Sequence, residues 1–158
     1  MTNVDLELDF NKSVGYLNKG NYKKASTLLR KCLNQFEFKE AYLNLGNCYR
    51  GLGQDSKMIE CYKKAANPKT PYLNGSLGEY NSALNNLGLA YYMMGDDDSA
   101  IECYEKAISL DPNFWDAWWN CSTAVIRQNS SGRTELFKDG WEMYDARFLK
   151  TPKKKKKN

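Results

Sequence analysis

Between Tyr42 and Pro112 one pattern of residues occurs twice. The first copy runs through Tyr42, Leu45, Gly46, Tyr49, Gly53, Ile59, Tyr62 and Ala65. The second runs through Leu84, Leu87, Gly88, Tyr91, Gly95, Ile101, Tyr104 and Ala107, with Ala100 and Pro112 added, and the internal spacings agree residue for residue. A repeat of this size cannot close a hydrophobic core by itself. It predicts small modules that stack and bury their faces against one another.

Each copy reads as two helices. Leu84, Leu87 and Tyr91 fall on one helical face, and Ala100, Ile101, Tyr104, Ala107 and Ile108 on another. Gly95 suits the left-handed residue that ends a helix. Asp96, Asp97 and Asp98 then stand at the start of the next one, where the helix dipole favours negative charge. Asp111-Pro112 stops the second helix. Gly88 and Ala100 are expected where the two helices cross most closely. The first copy has Met58 in place of that alanine, which predicts a slightly wider crossing.

Leu84-x-x-Leu87-Gly88-x-x-Tyr91, followed by Gly95, Ala100, Tyr104, Ala107 and Pro112, resembles a tetratricopeptide repeat (TPR). Tyr42-x-x-Leu45-Gly46-x-x-Tyr49 with Gly53, Tyr62 and Ala65 resembles it again. The resemblance implies an all-α fold, a right-handed α-solenoid of about four TPR-like hairpins. The units span approximately 6–38, 39–66, 81–112 and 115–149. The first, through Tyr16, Gly20, Tyr22, Ala25, Leu28 and Leu29, lacks the Leu-Gly pair and reads as a polar cap. The fourth begins at Trp115-Asp116-Ala117-Trp118-Trp119-Asn120 and closes with Leu136, Phe137, Gly140, Trp141, Tyr144 and Phe148. Phe137 to Phe148 is similar to the closing segment of bacterial TPR proteins that precede sugar-transferase domains. Residues 67–80, with Pro68, Pro71, Gly75 and Gly78, form an inserted loop that ends in extra helical turns.

Composition excludes much chemistry. The 158 residues contain no histidine, which removes Ser/His/Asp and Cys/His catalysis and His-ligated metals. The cysteines Cys32, Cys48, Cys61, Cys103 and Cys121 form no CxxC pair and fall in or beside apolar helical positions, as small buried hydrophobes in a reducing compartment would. Asp96 to Asp98 lacks the spacing of a calcium loop. No phosphate-binding glycine loop is present. The expectation is a non-enzyme with no cofactor, metal or catalytic residue. No apolar run is long enough to span a bilayer, and Met1 to Phe10 lacks the features of a secretory signal, so a cytoplasmic protein is expected. The net charge of +4 includes Lys153 to Lys157; without them the remainder is close to neutral. Residues 151–158 read as a disordered Lys-rich tail, with three readings: a solvated end of no importance, weak attraction to anionic surfaces, or a nuclear import signal in a eukaryote.

Aligning the units brings one polar slot into register: Asn11, Asn44, Asn86 and Asn120. The slot points toward the concave surface lined by the first helices. An amide offers donors and an acceptor to an extended peptide backbone. The row resembles the asparagine ladder of some TPR proteins, including the O-linked N-acetylglucosamine transferase family. Asn47, Asn85, Tyr92, Trp119, Thr123 and Arg127 are expected to face or rim the same groove, Tyr92 and Trp119 as apolar anchors and Arg127 as a carboxylate ligand. The carboxylate clamp of chaperone-tail receptors needs several cations here, and Leu43, Ser82 and Asn86 stand in those slots. The expected function is a protein-interaction scaffold or adaptor that binds a partner's extended peptide or helix. A regulatory or substrate-selecting piece of a glycosyltransferase is the alternative. The tryptophan-rich end could also cover itself with a second copy.

Overall fold

The computed structural model describes residues 3–73 and 77–128. These form α1 (Asn3–Asn18), α2 (Tyr22–Leu33), α3 (Lys39–Gly51), α4 (Asp55–Ala65), α5 (Leu77–Met93), α6 (Asp97–Leu110) and α7 (Trp115–Gln128), with no strand among the described residues. Consecutive helices pack as hairpins, α1 on α2, α3 on α4 and α5 on α6, and each hairpin leans on the next. This is an all-α helical-hairpin solenoid. The expected closing helix through Leu136, Phe137, Gly140, Trp141, Tyr144 and Phe148 lies outside the described residues, as does the 151–158 tail.

The turns follow from single residues. Gly20, Gly53 and Gly95 hold φ of 71°, 67° and 82°, the left-handed region that a side chain disfavours. Asp96 then caps α6, its carboxylate accepting from the Ser99 amide at 3.1 Å. The helix stops at Leu110, ahead of Asp111-Pro112.

Inside each repeated hairpin a glycine seats a tyrosine ring. A Cβ placed on Gly46 would meet Tyr62 at 2.4 Å, and one on Gly88 would meet Tyr104 at 2.6 Å. Both tyrosines are fully buried. The wider crossing expected at Met58 is therefore not seen at this seat, which is as tight in the first copy as in the second. Met58 instead extends into the joint with the next hairpin, packing with Tyr62, Leu87 and Ala90. The core is a chain of such joints. Leu29, Cys32, Phe38 and Leu45 join the first two hairpins, and Ile101, Tyr104, Cys121 and Ala124 fasten α7 to α6.

Contacts between alternate helices give the curvature. α1 touches α3, α3 touches α5 and α5 touches α7, whereas α2, α4 and α6 do not meet one another. The first helices thus form the inner, concave layer, and the second helices the outer one.

The inserted segment is fastened to the body. The Lys39 amide donates to the Pro71 carbonyl at 2.9 Å. The Glu40 carboxylate accepts from the Leu73 amide at 3.0 and 3.1 Å. α5 starts at Leu77, one turn ahead of the repeat's own first position at Asn81, so the extra helical turn expected at the end of the insertion is present.

The two tyrosine seats differ in one atom's fate. The Tyr62 hydroxyl donates to Asn47 Oδ1 at 2.7 Å. The residue in the matching place of the other copy is Leu89, and the Tyr104 hydroxyl is buried without a partner. Urea unfolding should therefore separate two identical substitutions. Tyr62→Phe should cost about 1 kcal/mol, and Tyr104→Phe should be neutral or stabilising by about as much, because only the first removes a hydrogen bond. Leu89→Asn should recover stability with Tyr104 present and lose it with Tyr104→Phe.

Burial also sets the pH response. It pushes the Cys48 and Cys103 thiols up to about 11, Cys61 to about 12 and the Tyr62 phenol to about 12. The folded chain keeps these protons at pH values where the unfolded chain has released them. Stability is then fully present below the ordinary thiol value and falls as pH rises from about 9 toward 12. With no histidine, denaturation midpoints should stay flat between about pH 6 and 7.5 and decline on the alkaline side.

Candidate functional site

The inner layer carries a row of amides, and the structure links them in pairs across the hairpins. Asn86 Nδ2 of α5 donates to Asn47 Oδ1 of α3 at 3.4 Å. Asn120 Nδ2 of α7 donates to Asn85 Oδ1 of α5 at 3.0 Å. Asn47 Oδ1 therefore accepts twice, from Tyr62 below it and from Asn86 beside it. Asn47 and Asn86 are both half-buried, and neither the Asn47 amino group nor the Asn86 carbonyl oxygen is used in these bonds. Asn44 is half-buried on α3 and Asn11 exposed on α1, and neither side chain bonds to another described residue. Asn11 stands apart from the linked set.

Arg127 lies at the end of this surface. Its guanidinium stacks on Tyr92, 3.5 Å from the ring centroid, donates to the Tyr92 carbonyl at 2.6 Å, and binds Asp97 through Nε at 2.8 and 3.0 Å and through a further bond from its terminal nitrogen. The Asp97 hydrogen bond raises its pKa. The carboxylate expected to reach Arg127 from a partner is thus supplied within the chain, by the acidic run that opens α6. Arg127 and Tyr92 together tie α7 to α5 and α6. Thr123 Oγ1 donates to the Asn120 carbonyl at 2.8 Å, a bond within α7. Trp119 is 56% exposed on α7, as is Ile126 two turns further along. Trp118 is half-buried, its indole N–H donating to the Pro112 carbonyl at 3.1 Å.

One polar residue of the site's support escaped the sequence reading. Lys39 opens α3 and is 1% exposed. Its ammonium donates to the Ala65 carbonyl at 3.2 Å and to the Asn67 carbonyl, and it lies over the rings of Tyr72 and Tyr80, 5.3 and 4.8 Å from their centroids. It therefore caps the C-terminus of α4 and clamps the inserted segment. Desolvation lowers its pKa. The available signal was its register: Lys39 and Asn81 hold the same place in the two copies, and both are buried.

Among the described residues no group of three or more His, Cys, Asp or Glu could hold a metal ion. No helix of the described residues is long and apolar enough to cross a membrane. All five thiols are free.

A helical-hairpin solenoid with a polar inner layer is the architectural class. Within it, residues 39–67 and 76–114 match models of the tetratricopeptide repeat, so the chain carries two such repeats. No curated protein matches the chain in sequence. Among solved structures the fold is similar to a crystal structure of MamA, with a TM-score of 0.77 and 25% identity over 91% of this chain and 81% of that one. It is also similar to the first TPR of Spaghetti (RPAP3) bound to the HSP90 peptide SRMEEVD, with a TM-score of 0.68 and 16% identity over 82% of this chain and 98% of that one.

Replacing Lys39 tests the clamp. Lys39→Met keeps the stem and removes the donor, leaving the two carbonyls without it. It should destabilise by about 1–3 kcal/mol and expose residues 67–73 to limited proteolysis, read as new cleavage products in that stretch.

Proposed function

We propose that the chain is an interaction scaffold that binds an extended peptide of a partner protein along its inner face and so brings that partner into a complex. The row of amides carries this reading. Asn44, the remaining amide atoms of Asn47 and Asn86, and Asn120 lie on successive first helices, and amides of this kind can donate to and accept from a peptide main chain with little regard for its sequence. Trp119 supplies an apolar anchor beside them. The row is braced by its own cross-links, so little order has to be gained on binding.

The fold's likeness to an RPAP3 domain bound to an acidic peptide supports a peptide as the kind of partner. The chemistry here differs. Leu43, Ser82 and Asn86 occupy slots where a carboxylate clamp needs cations, and Arg127 is engaged with Asp97. We therefore assign main-chain recognition rather than capture of a C-terminal carboxylate. No described residue favours the glycosyltransferase reading, whose segment Phe137 to Phe148 lies outside the described region. The free thiols, buried at Cys32, Cys48, Cys61 and Cys121 and half-buried at Cys103, fit a reducing, cytoplasmic setting.

Asn44→Ala gives the cleanest test, since this side chain holds no other part of the fold. Peptides selected from a displayed library on the wild type should bind Asn44→Ala about tenfold more weakly, with an unchanged melting curve. Asn86→Ala with Asn120→Ala should weaken binding further and lower stability modestly, because two inter-helix bonds go with it. Undiminished binding by both variants would move the site off the inner face.

A further inference from the structure

The near-neutral body conceals two opposed halves. Residues 3–73 carry twelve Lys or Arg against seven Asp or Glu, and residues 77–128 carry two against eight. The division is sharpest on the outer layer. α2 holds Lys23, Lys24, Arg30 and Lys31 and no acidic residue. α6 holds Asp97, Asp98, Glu102 and Glu105 against Lys106 alone.

Much of this charge is not consumed within the fold. Lys31 pairs with Asp9 at 2.6 Å and Asp97 with Arg127. Lys23, Lys24 and Arg30 are exposed and have no carboxylate partner among the described residues, and the same holds, with cations, for Glu102 and the half-buried Glu105. Beside α2 the surface opens into a cleft of about 250 Å³ lined by Lys23, Arg30, Lys57, Thr27, Tyr49 and Gln54, among others, with no acidic group in its wall. Between the two helices sits α4, whose exposed residues are of both signs: Asp55, Lys57, Glu60, Lys63 and Lys64.

We propose that two copies of this chain associate back to back and antiparallel through their outer layers, α2 of each facing α6 of the other across a two-fold axis near α4. The arrangement uses the bipolar charge twice and closes on itself. It requires a middle helix that can meet its own copy, which the mixed charges of α4 provide. It goes beyond the peptide-binding reading and leaves both inner faces open, so the pair would present two grooves to a partner.

Sedimentation velocity on the full chain at micromolar concentration tests it. Dimer should be present at about 50 mM salt and lost at about 500 mM, where screening shortens the reach of charge. A variant with Lys23→Glu, Lys24→Glu and Arg30→Glu should dimerise at least about tenfold more weakly, and so should one with Glu102→Lys and Glu105→Lys, because each alone sets like charges opposite one another. Mixed in equal amounts, the two should recover association, since every contact is again between opposite signs. A monomeric wild type at low salt would overturn the proposal. Two variants that dimerise like wild type, or a mixture that stays monomeric, would do so as well. Loss of the dimer on changing Lys153 to Lys157 to Gln, with the α2 and α6 variants unaffected, would assign the contact to the tail instead and equally overturn it. Circular dichroism of each variant checks that these exposed substitutions leave the helices intact.

Discussion

The close approach of a glycine to a tyrosine ring sets the geometry on which everything else in this molecule depends. At Gly46 and Gly88 the ring occupies the space a Cβ would need, and the tyrosine that fills it is buried completely. A helix pair held this near leaves each hairpin thin and apolar on its flanks, so it must lean on a neighbour. Repetition then turns a local packing rule into a curved stack. The first helices fall on the inside because they, and not the second helices, come within reach of one another. A surface made of alternate helices is the consequence, and the amides are displayed on it.

Sequence patterning made this part legible. Tyr42, Leu45, Gly46 and Tyr62 recur at Leu84, Leu87, Gly88 and Tyr104 with one spacing, because each seat is a contact between residues close along the chain. Gly95, Asp96 and Pro112 announced a turn, a cap and a stop for the same local reason. The amide row was legible as register but not as bonding. Asn47 joins Asn86, and Asn85 joins Asn120, across separations of 39 and 35 residues. Nothing in the pattern of one hairpin shows that its asparagines brace the next.

Lys39 and Arg127 mark where the sequence reading stopped, and the physical reason is shared. Each is a cation whose neighbours arrive from other helices. Lys39 meets the carbonyls that end α4 and two rings from the insertion and α5. Arg127 meets Asp97, 30 residues away, and Tyr92, 35 away. A lysine at a helix start reads as solvated surface, and an arginine near a helix end as a groove cation open to a partner's carboxylate, until the stack brings helix ends together. Both turn out to fasten the parts that the repeat itself does not hold, the inserted segment in one case and α7 in the other. The inner face is consequently poorer in available cations than its residue list suggests. That fits the proposed main-chain recognition better than charge recognition.

The charge of the chain carries a related lesson about sums. A net value close to zero for the body was correct and uninformative, because it averaged a basic first half with an acidic second half. The solenoid keeps those halves apart along its length, whereas a globular fold could have interleaved them. At α7 the guanidinium of Arg127 takes up Asp97 at the start of the neighbouring α6, so that one acidic charge is spent internally. On the outer layer α2 and α6 are held apart by α4, too far to neutralise each other within one chain, and Lys23, Arg30 and Glu102 are left exposed. Within one chain these exposed charges on α2 and α6 stay solvated and apart. The proposed antiparallel pair would bring them together on the outer layer without obstructing the groove.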